Sequence, residues 1–217
     1  MARNKLEKFN YINESKNVYQ PLLDGEIQIA GKWNDKFFTN ANKIILELGC
    51  GKGEYSVGLA QKNPDKNFIG VDIKGNRIYH GAKQAIDENI ENVAFLRTQI
   101  LLINDFFEPG EVEEVWITFP DPRLRDRDEG RRLISPRFIE LYKQFLLPGS
   151  IINLKTDNFA LYQYSLGLVR GMGFEVLANT SDLYTSSFLP LCFDLQTTYE
   201  KKYLAQGVKI NYLKFRI

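Results

Sequence analysis

Residues 44–53 read IILELGCGKG, and their pattern is the strongest indication of the fold class. Its first half, 44–48, is a short apolar run that stops at glycines, which is typical of a buried strand. Residues 54–62 then follow a helical pattern that ends before Pro64. A strand, a glycine-rich turn and a helix in this order predict the first βα junction of a doubly wound sheet, where such folds bind ligands.

The rest of the chain alternates strands and helices around that junction. Further strands are expected at 67–73, 92–97, 114–119, 150–155, about 174–178 and 197–204. Helices are expected at 75–89, from 136 to about 146, and up to about residue 170. This alternation predicts an α/β fold whose seven-stranded, mostly parallel sheet carries helices on both faces. The last strand, after a long irregular stretch, is expected to be antiparallel.

Residues 1–42 lack this periodicity. They mix charges with scattered aromatic side chains, namely Phe9, Tyr11, Tyr19, Trp33 and Phe37. We interpret them as an N-terminal arm or lid in front of a single domain at 43–217. An extension that only packs on the core explains the same composition equally well.

Composition restricts the function less than the motifs do. The 28 Lys and Arg residues nearly balance 27 Asp and Glu, so a nucleic-acid surface would have to come from local clustering. Cys50, Cys192 and His80 are too few and too scattered for a zinc site, and no metal is expected. No apolar run is long enough for a bilayer, so we expect no membrane contact and a cytoplasmic location.

The glycine loop favours one class of ligand. A dinucleotide fingerprint needs its third glycine at position 54, where this chain has Glu54, and this argues against an NAD-dependent oxidoreductase. Glu47 lies two residues before the first glycine. A carboxylate there suits S-adenosylmethionine (SAM), which has no phosphate and carries a cationic ammonium and a sulfonium. The alternative is a surface charge at the end of a strand.

Two polar residues after the next strands fit the same ligand. Asp72 ends the second strand about 20 residues beyond the loop, where an acidic residue reaches a ribose diol. Gln99 follows the third strand, where a carboxamide can meet an adenine edge. A helix-capping role for Asp72 and an ordinary loop position for Gln99 are the alternatives.

The loop after the fourth strand, TFPDPR at 118–123, is the most informative stretch. Prolines on both sides stiffen the backbone of Asp121, which makes this carboxylate a candidate for holding a methyl acceptor. Residues 123–132 then contain five arginines and three acids. They are either a salt-bridged, solvated loop or a loop that binds phosphate beside the active site. A Pro-Asp-Pro turn with a solvated side chain is the alternative for Asp121.

These motifs resemble the bacterial tRNA (guanine-N7)-methyltransferase family, TrmB. The matching stretches are ELGCGKG at 47–53, VDIK at 71–74, FPDP at 119–122 with RRL at 131–133, KTDN at 155–158 and TTYEK at 197–201. They cover about residues 44–203. The glycine loop is shared by many SAM enzymes, whereas the FPDP and TTYE motifs are far more specific.

The resemblance implies a Rossmann-like SAM-dependent methyltransferase fold and a set of site residues. The residues implied for SAM, and for its product S-adenosylhomocysteine, are Glu47, Gly49, Gly51, Asp72, Gln99 and Asp121, the last also catalytic. Those implied for the tRNA guanosine are Arg125, Asp157, Thr197, Thr198, Tyr199 and Glu200. The implied target is guanosine 46 in the tRNA variable loop. We expect tRNA but no protein as partner, and a monomer or homodimer.

The chain departs from the family in the arginine-rich loop. The family commonly has Trp at the position of Arg123, Lys at that of Arg125, and a His within 126–130; Gln99 stands where Asn or Asp is usual.

The alternatives are a SAM-dependent enzyme acting on another RNA base or exocyclic amine, and a non-catalytic RNA-binding module. Amino-group methyltransferases carry Asp/Asn-Pro-Pro-aromatic, where this chain has Pro-Asp-Pro-Arg.

Overall fold

A computed structural model describes residues 2–21 and 29–217. Its eight strands form one mixed sheet in the order β1-β4-β3-β2-β5-β6-β8-β7. They are β1 (Val18–Tyr19), β2 (Lys43–Leu48), β3 (Lys66–Asp72), β4 (Val93–Arg97), β5 (Val112–Thr118), β6 (Leu146–Thr156), β7 (Glu175–Thr180) and β8 (Asn211–Arg216). Strand β8 runs antiparallel to both of its neighbours, and the other seven described strands run in one common direction. The mostly parallel sheet with an antiparallel C-terminal strand is confirmed, but it has eight strands and not seven.

The described residues also form six α-helices. They are α1 (Ala2–Glu14), α2 (Glu54–Lys62), α3 (Gly75–Asp87), α4 (Pro136–Tyr142), α5 (Phe159–Gly171) and α6 (Thr198–Ala205). Apolar side chains of α2 and α3 pack on one face of the sheet, and those of α4 and α5 pack on the other. Side chains alternate along β2, so Ile45 and Glu47 point toward α2. Within the described ranges, no helix combines the length and apolar character needed to cross a membrane.

The strand order reverses at β2. From there the chain builds β3 and β4 on one side, then returns to build β5 and β6 on the other. Doubly wound sheets bind ligands at this reversal, beyond the carboxyl ends of the strands. Glu47 pairs in register with Trp116, so the ends of β2 and β5 meet there.

Two element predictions were wrong. Residues 197–204 do not form the last strand, because 198–205 are helix α6 and the antiparallel strand is β8. The Thr197 side chain accepts a hydrogen bond from the Glu200 N–H at 3.1 Å, and Thr-x-x-Glu is a helix-start signal that strand propensity had masked. The helix expected to reach about 146 ends at Tyr142, because Leu146 already pairs with Val112 in the sheet.

The described part of the predicted arm packs along the far edge of the sheet. Strand β1 pairs with β4, and α1 lies against α3. Trp33 is buried, and its indole N–H donates to the Phe106 carbonyl at 2.9 Å. Residues 1 and 22–28 of the predicted arm lie outside the described residues. The domain boundary at 42/43 and a lid role stay predictions.

Candidate active site at the strand-order reversal

One cavity opens at the carboxyl ends of β2, β5 and β6. Its volume is about 970 Å³, at the upper end of the roughly 300–1,000 Å³ usual for ligand pockets. Its walls come from the glycine loop, the loop after β5, the residue after β6, and the first turns of α3 and α6. Eight of the twelve predicted site residues line it: Glu47, Gly49, Gly51, Asp121, Asp157, Thr197, Thr198 and Tyr199.

The glycine loop forms the floor of this cavity. Gly49, Gly51 and Gly53 all have left-handed backbones, with φ of 79°, 57° and 73°. A Cβ on Gly53 would lie 2.5 Å from the Phe95 ring, so packing under the loop requires glycine. A Cβ on Gly51 would meet nothing within 4 Å. The loop therefore turns tightly against the sheet and exposes bare backbone to a ligand.

Glu47 is a buried carboxylate in the cavity wall. It accepts hydrogen bonds from the hydroxyls of Ser56 at 2.5 Å and Thr118 at 2.6 Å. Burial raises the pKa of Glu47 from its ordinary 4.5 to about 7, although both hydroxyl bonds favour the ionised form. No Lys or Arg in the described parts of the chain forms an ion pair with it. A cationic ligand in the cavity would supply the missing charge.

Asp72 and Gln99 do not reach the cavity wall. Asp72 accepts hydrogen bonds from the backbone N–H groups of Gly51 at 2.9 Å and Lys74 at 2.8 Å. It therefore fixes the glycine loop, while each oxygen keeps a lone pair for a ligand hydroxyl. Gln99 is exposed and precedes the 3-10 helix Ile100–Phe106. The ribose and adenine roles of these two side chains stay predictions.

Asp121 is the exposed carboxylate of the cavity. Its side chain is 63% exposed and lies 3.0 Å from the guanidinium of Arg123. The loop that carries it is unusual, because Phe119 and Arg123 both have left-handed backbones, with φ of 50° and 47°. The Phe119 N–H donates to the Lys155 carbonyl at 2.8 Å, which ties the loop to β6. Asp121 is thus accessible while its loop is fixed at the sheet.

The first turn of α6 forms the opposite rim. Thr197, Thr198 and Tyr199 line the cavity, and the Tyr199 and Phe119 rings lie 5.8 Å apart. Glu200 points the other way. It is fully buried, and its carboxylate lies 2.8 Å from the ammonium of the equally buried Lys155.

Part of the arginine-rich loop, residues 123–132, is salt-bridged, and part of it is free of ion pairs with the described residues. Asp121 pairs with Arg123 and Asp128 with Arg131, while the guanidinium of Arg132 lies 4.2 Å from the centre of the Tyr164 ring. Arg125 and Arg127 are exposed and form no ion pair with any described residue. Two of the five arginines are therefore available to a polyanion, but neither lines the cavity.

Sequence reasoning missed several residues of the wall. The charged ones that received no site role are Lys52, Glu54, Lys74, Arg77, Arg123 and Lys202. Lys52 and Lys74 belong to recognised motifs and the others lie near them, so proximity to a motif was the only signal. Among the residues that the structure describes, no group of three His, Cys, Asp or Glu side chains is arranged to hold a metal ion.

Known sequences place the chain in a family. A family model described as a putative methyltransferase matches residues 41–213. A tRNA (guanine-N(7)-)-methyltransferase of Christiangramia forsetii is 47% identical over 100% of this chain and 99% of its own. A protein of the same name from Cytophaga hutchinsonii is 43% identical over 99% and 98%.

Solved structures agree on the fold. The 16S rRNA methyltransferase KamB superposes with a TM-score of 0.64 at 12% identity, over 88% of this chain and 94% of its own. A SAM-dependent methyltransferase from Aquifex aeolicus gives a TM-score of 0.55 at 12% identity, over 98% of both chains. These likenesses establish the Rossmann-like methyltransferase fold.

Proposed function

Since this chain belongs to the tRNA (guanine-N7)-methyltransferase family, we propose that its cavity transfers the methyl group of SAM to N7 of a guanosine in tRNA. The finer target that we propose is guanosine 46 of the variable loop. The observation that carries the proposal is one cavity with two carboxylates of opposite character. Glu47 is buried without a cation, and Asp121 is exposed on a fixed loop.

The cofactor side of the cavity fits SAM. The glycine loop leaves backbone open at Gly51, and Glu47 offers a carboxylate that a cation would compensate. We infer that Glu47, Gly49, Gly51 and Asp121 hold SAM in the cavity, and that Asp72 and Gln99, which lie outside its wall, bind the ribose and the adenine. When bound, SAM supplies a methyl group on a positively charged sulfur.

Methyl transfer to N7 requires the protein to orient the guanine and to stabilise the positive charge that develops on it. Guanine N7 has an in-plane lone pair and no proton, so no general base has to act before it attacks, and catalysis comes mainly from positioning. Asp121 accepts hydrogen bonds from the N1–H and N2–H of guanine, a donor pair that adenine lacks. Alkylation moves positive charge onto the base, which a nearby carboxylate stabilises. Asp157 and Thr197–Tyr199 bind the nucleoside, and Arg125 contacts the tRNA backbone.

A methyl-transfer assay tests the proposal. The protein is incubated with an unmodified tRNA transcript and methyl-labelled SAM, and the digested nucleosides are analysed by mass spectrometry. We expect 7-methylguanosine. Methylation of another base or of an exocyclic amine would overturn the N7 assignment and support the alternative reaction.

Asp121→Asn tests the carboxylate. The variant keeps one acceptor oxygen toward SAM, so its SAM affinity should fall far less than its kcat, which should drop about 10²–10³-fold because an amide offers guanine neither the charge nor two acceptor oxygens. Asp126→Asn is the matched control, since Asp126 is an exposed acid of the same loop outside the cavity. Turnover of Asp121→Asn equal to that of the control removes Asp121 from the mechanism.

A further inference from the structure

Glu54 connects the glycine loop to the first turn of α6, which forms the opposite rim of the cavity. It follows the glycine loop directly, as the first residue of α2. Its carboxylate accepts two hydrogen bonds from Thr198, 144 positions later in the chain. The Thr198 N–H donates to Oε2 at 2.6 Å and the Thr198 hydroxyl to Oε1 at 2.8 Å.

The position of Thr198 explains why these bonds matter. Thr198 is the first residue of α6, where backbone N–H groups have no partner within the helix. The Thr197 hydroxyl caps the N–H of Glu200, so the N–H of Thr198 depends on Glu54. A carboxylate is also favoured at a helix N-terminus by the helix dipole, and Glu54 lies at the N-termini of α2 and α6 at once.

The two helix starts belong to different binding surfaces. The N-terminus of α2 continues the loop Gly49–Gly53, which we propose holds SAM, and that of α6 carries Thr197–Tyr199, which we propose hold the nucleoside. Both oxygens of Glu54 are directed at α6. The Glu54 side chain therefore links the position of the glycine loop to that of the first turn of α6.

We propose that Glu54 is a positioning residue that couples cofactor binding to tRNA binding, by fastening the first turn of α6 to the glycine loop. This inference rests on the proposed function. A cofactor that orders the glycine loop fixes Thr197–Tyr199 through Glu54, so tRNA binds more tightly to the cofactor-loaded protein. The coupling is reciprocal, and tRNA strengthens cofactor binding by the same factor.

The test measures affinity for an unmodified tRNA transcript with and without saturating S-adenosylhomocysteine. In the parent protein we expect the cofactor product to tighten tRNA binding about fivefold or more. In Glu54→Gln the factor should fall below about twofold, with a raised KM for tRNA and a nearly unchanged kcat. Thr198→Ala, which keeps the backbone N–H, should lose part of the factor.

Glu88→Gln is the matched control. Glu88 is an exposed glutamate that also accepts two side-chain hydrogen bonds, from Gln61 and Gln84, but outside the cavity. It should keep the parent coupling factor. Circular dichroism and thermal unfolding verify that every variant is folded, which we expect because Glu54 and Thr198 are both accessible.

Three outcomes overturn the inference. They are a parent protein without coupling, a Glu54→Gln variant that keeps it, and a variant that loses affinity for S-adenosylhomocysteine in the absence of tRNA, which would make Glu54 a cofactor ligand. If the parent forms 7-methylguanosine but shows no coupling, only this inference fails. If it forms none, the proposed function fails.

Discussion

The two halves of the cavity are built differently. The half that we propose for SAM, called the cofactor half, lies at the ends of β2 and β3, where Glu47 is buried and Asp72 fixes the glycine loop by accepting from backbone N–H groups. The half that we propose for the guanosine, called the acceptor half, consists of the first turn of α6 and the loop after β5, in which Asp121 is exposed and paired with Arg123. One half is part of the sheet core, and the other is attached to it.

The attachment of the acceptor half depends on a few side chains. Beneath α6, the ammonium of Lys155 lies 2.8 Å from Glu200 and donates to the Leu195 carbonyl at 3.2 Å. The Tyr184 hydroxyl donates to the same Glu200 carboxylate at 2.9 Å. The comparison suggests that the acceptor half can be loosened while the cofactor half stays intact.

The largest expected effect comes from removing one charge of this buried pair. Lys155→Met leaves the Glu200 carboxylate buried without its cation, which should lower the free energy of unfolding by about 3–5 kcal/mol. Urea denaturation measures the loss. Amide hydrogen exchange should rise first in α6 and remain slow in β2 and β3. Equal acceleration in all three elements would show that the two halves do not differ in how firmly they are held.

A double variant separates charge from packing. Lys155→Met with Glu200→Leu replaces both buried charges by apolar groups, so it should regain most of the lost stability. The recovery cannot be complete, because the Tyr184 hydroxyl and the Leu195 carbonyl lose their partners. A double variant as unstable as the single one would show that packing volume, and not the uncompensated charge, dominates.

The same contrast explains what the sequence could predict. Short apolar strands and a glycine loop are local patterns, so β2, α2 and β3 were placed within two residues. Strand alternation also located Glu47 at the ligand end of the sheet. The region after 180 is irregular, and Tyr199 and Tyr203 resemble strand residues, whereas the helix that forms is specified by the cap at Thr197.

The long-range contacts of the site had no local signal. Glu200 belongs to the recognised TTYE motif, yet only the fold shows that it faces the buried ammonium of Lys155 and not the cavity. Glu54 was noted for the glycine that it replaces, while its bonds to Thr198 join residues too far apart for any pattern to connect. Motifs predicted eight residues of the cavity wall but not which neighbours they face.

The next effect concerns the cofactor half and depends on pH. In the unfolded chain the Glu47 carboxyl ionises near pH 4.5, whereas in the folded protein burial raises its pKa to about 7. Between these values the folded state binds more protons, so this group lowers the free energy of unfolding as pH rises through that window. Glu47→Gln does not ionise, and its stability relative to the parent should improve by about 2–3 kcal/mol between pH 5 and pH 8.

Urea denaturation of the ligand-free proteins at both pH values tests this prediction. SAM affinity, measured by calorimetry, should fall in Glu47→Gln even where its stability has improved. The reason is that the buried carboxylate destabilises the ligand-free protein, whereas in our proposal it compensates the positive charge of SAM. Asp126→Asn makes the same acid-to-amide replacement at an exposed position outside the cavity and serves as the control. A pH-independent difference for Glu47→Gln would show that Glu47 does not differ from an exposed acid.

The smallest expected effect lies at the outer edge of the acceptor half. Arg125 is exposed and forms no ion pair with a described residue, so Arg125→Ala should leave folding and SAM binding unchanged. Loss of one phosphate contact should weaken tRNA binding by about 1 kcal/mol and reduce the slope of log K against log salt by about one.

Arg170→Ala is the control, since Arg170 is an exposed arginine near the end of α5, the helix that begins beside the cavity and runs away from it. Titrations over a series of salt concentrations distinguish the two variants. Equal salt slopes for both would exclude Arg125 from the RNA-contacting surface and confine the acceptor half to the cavity itself.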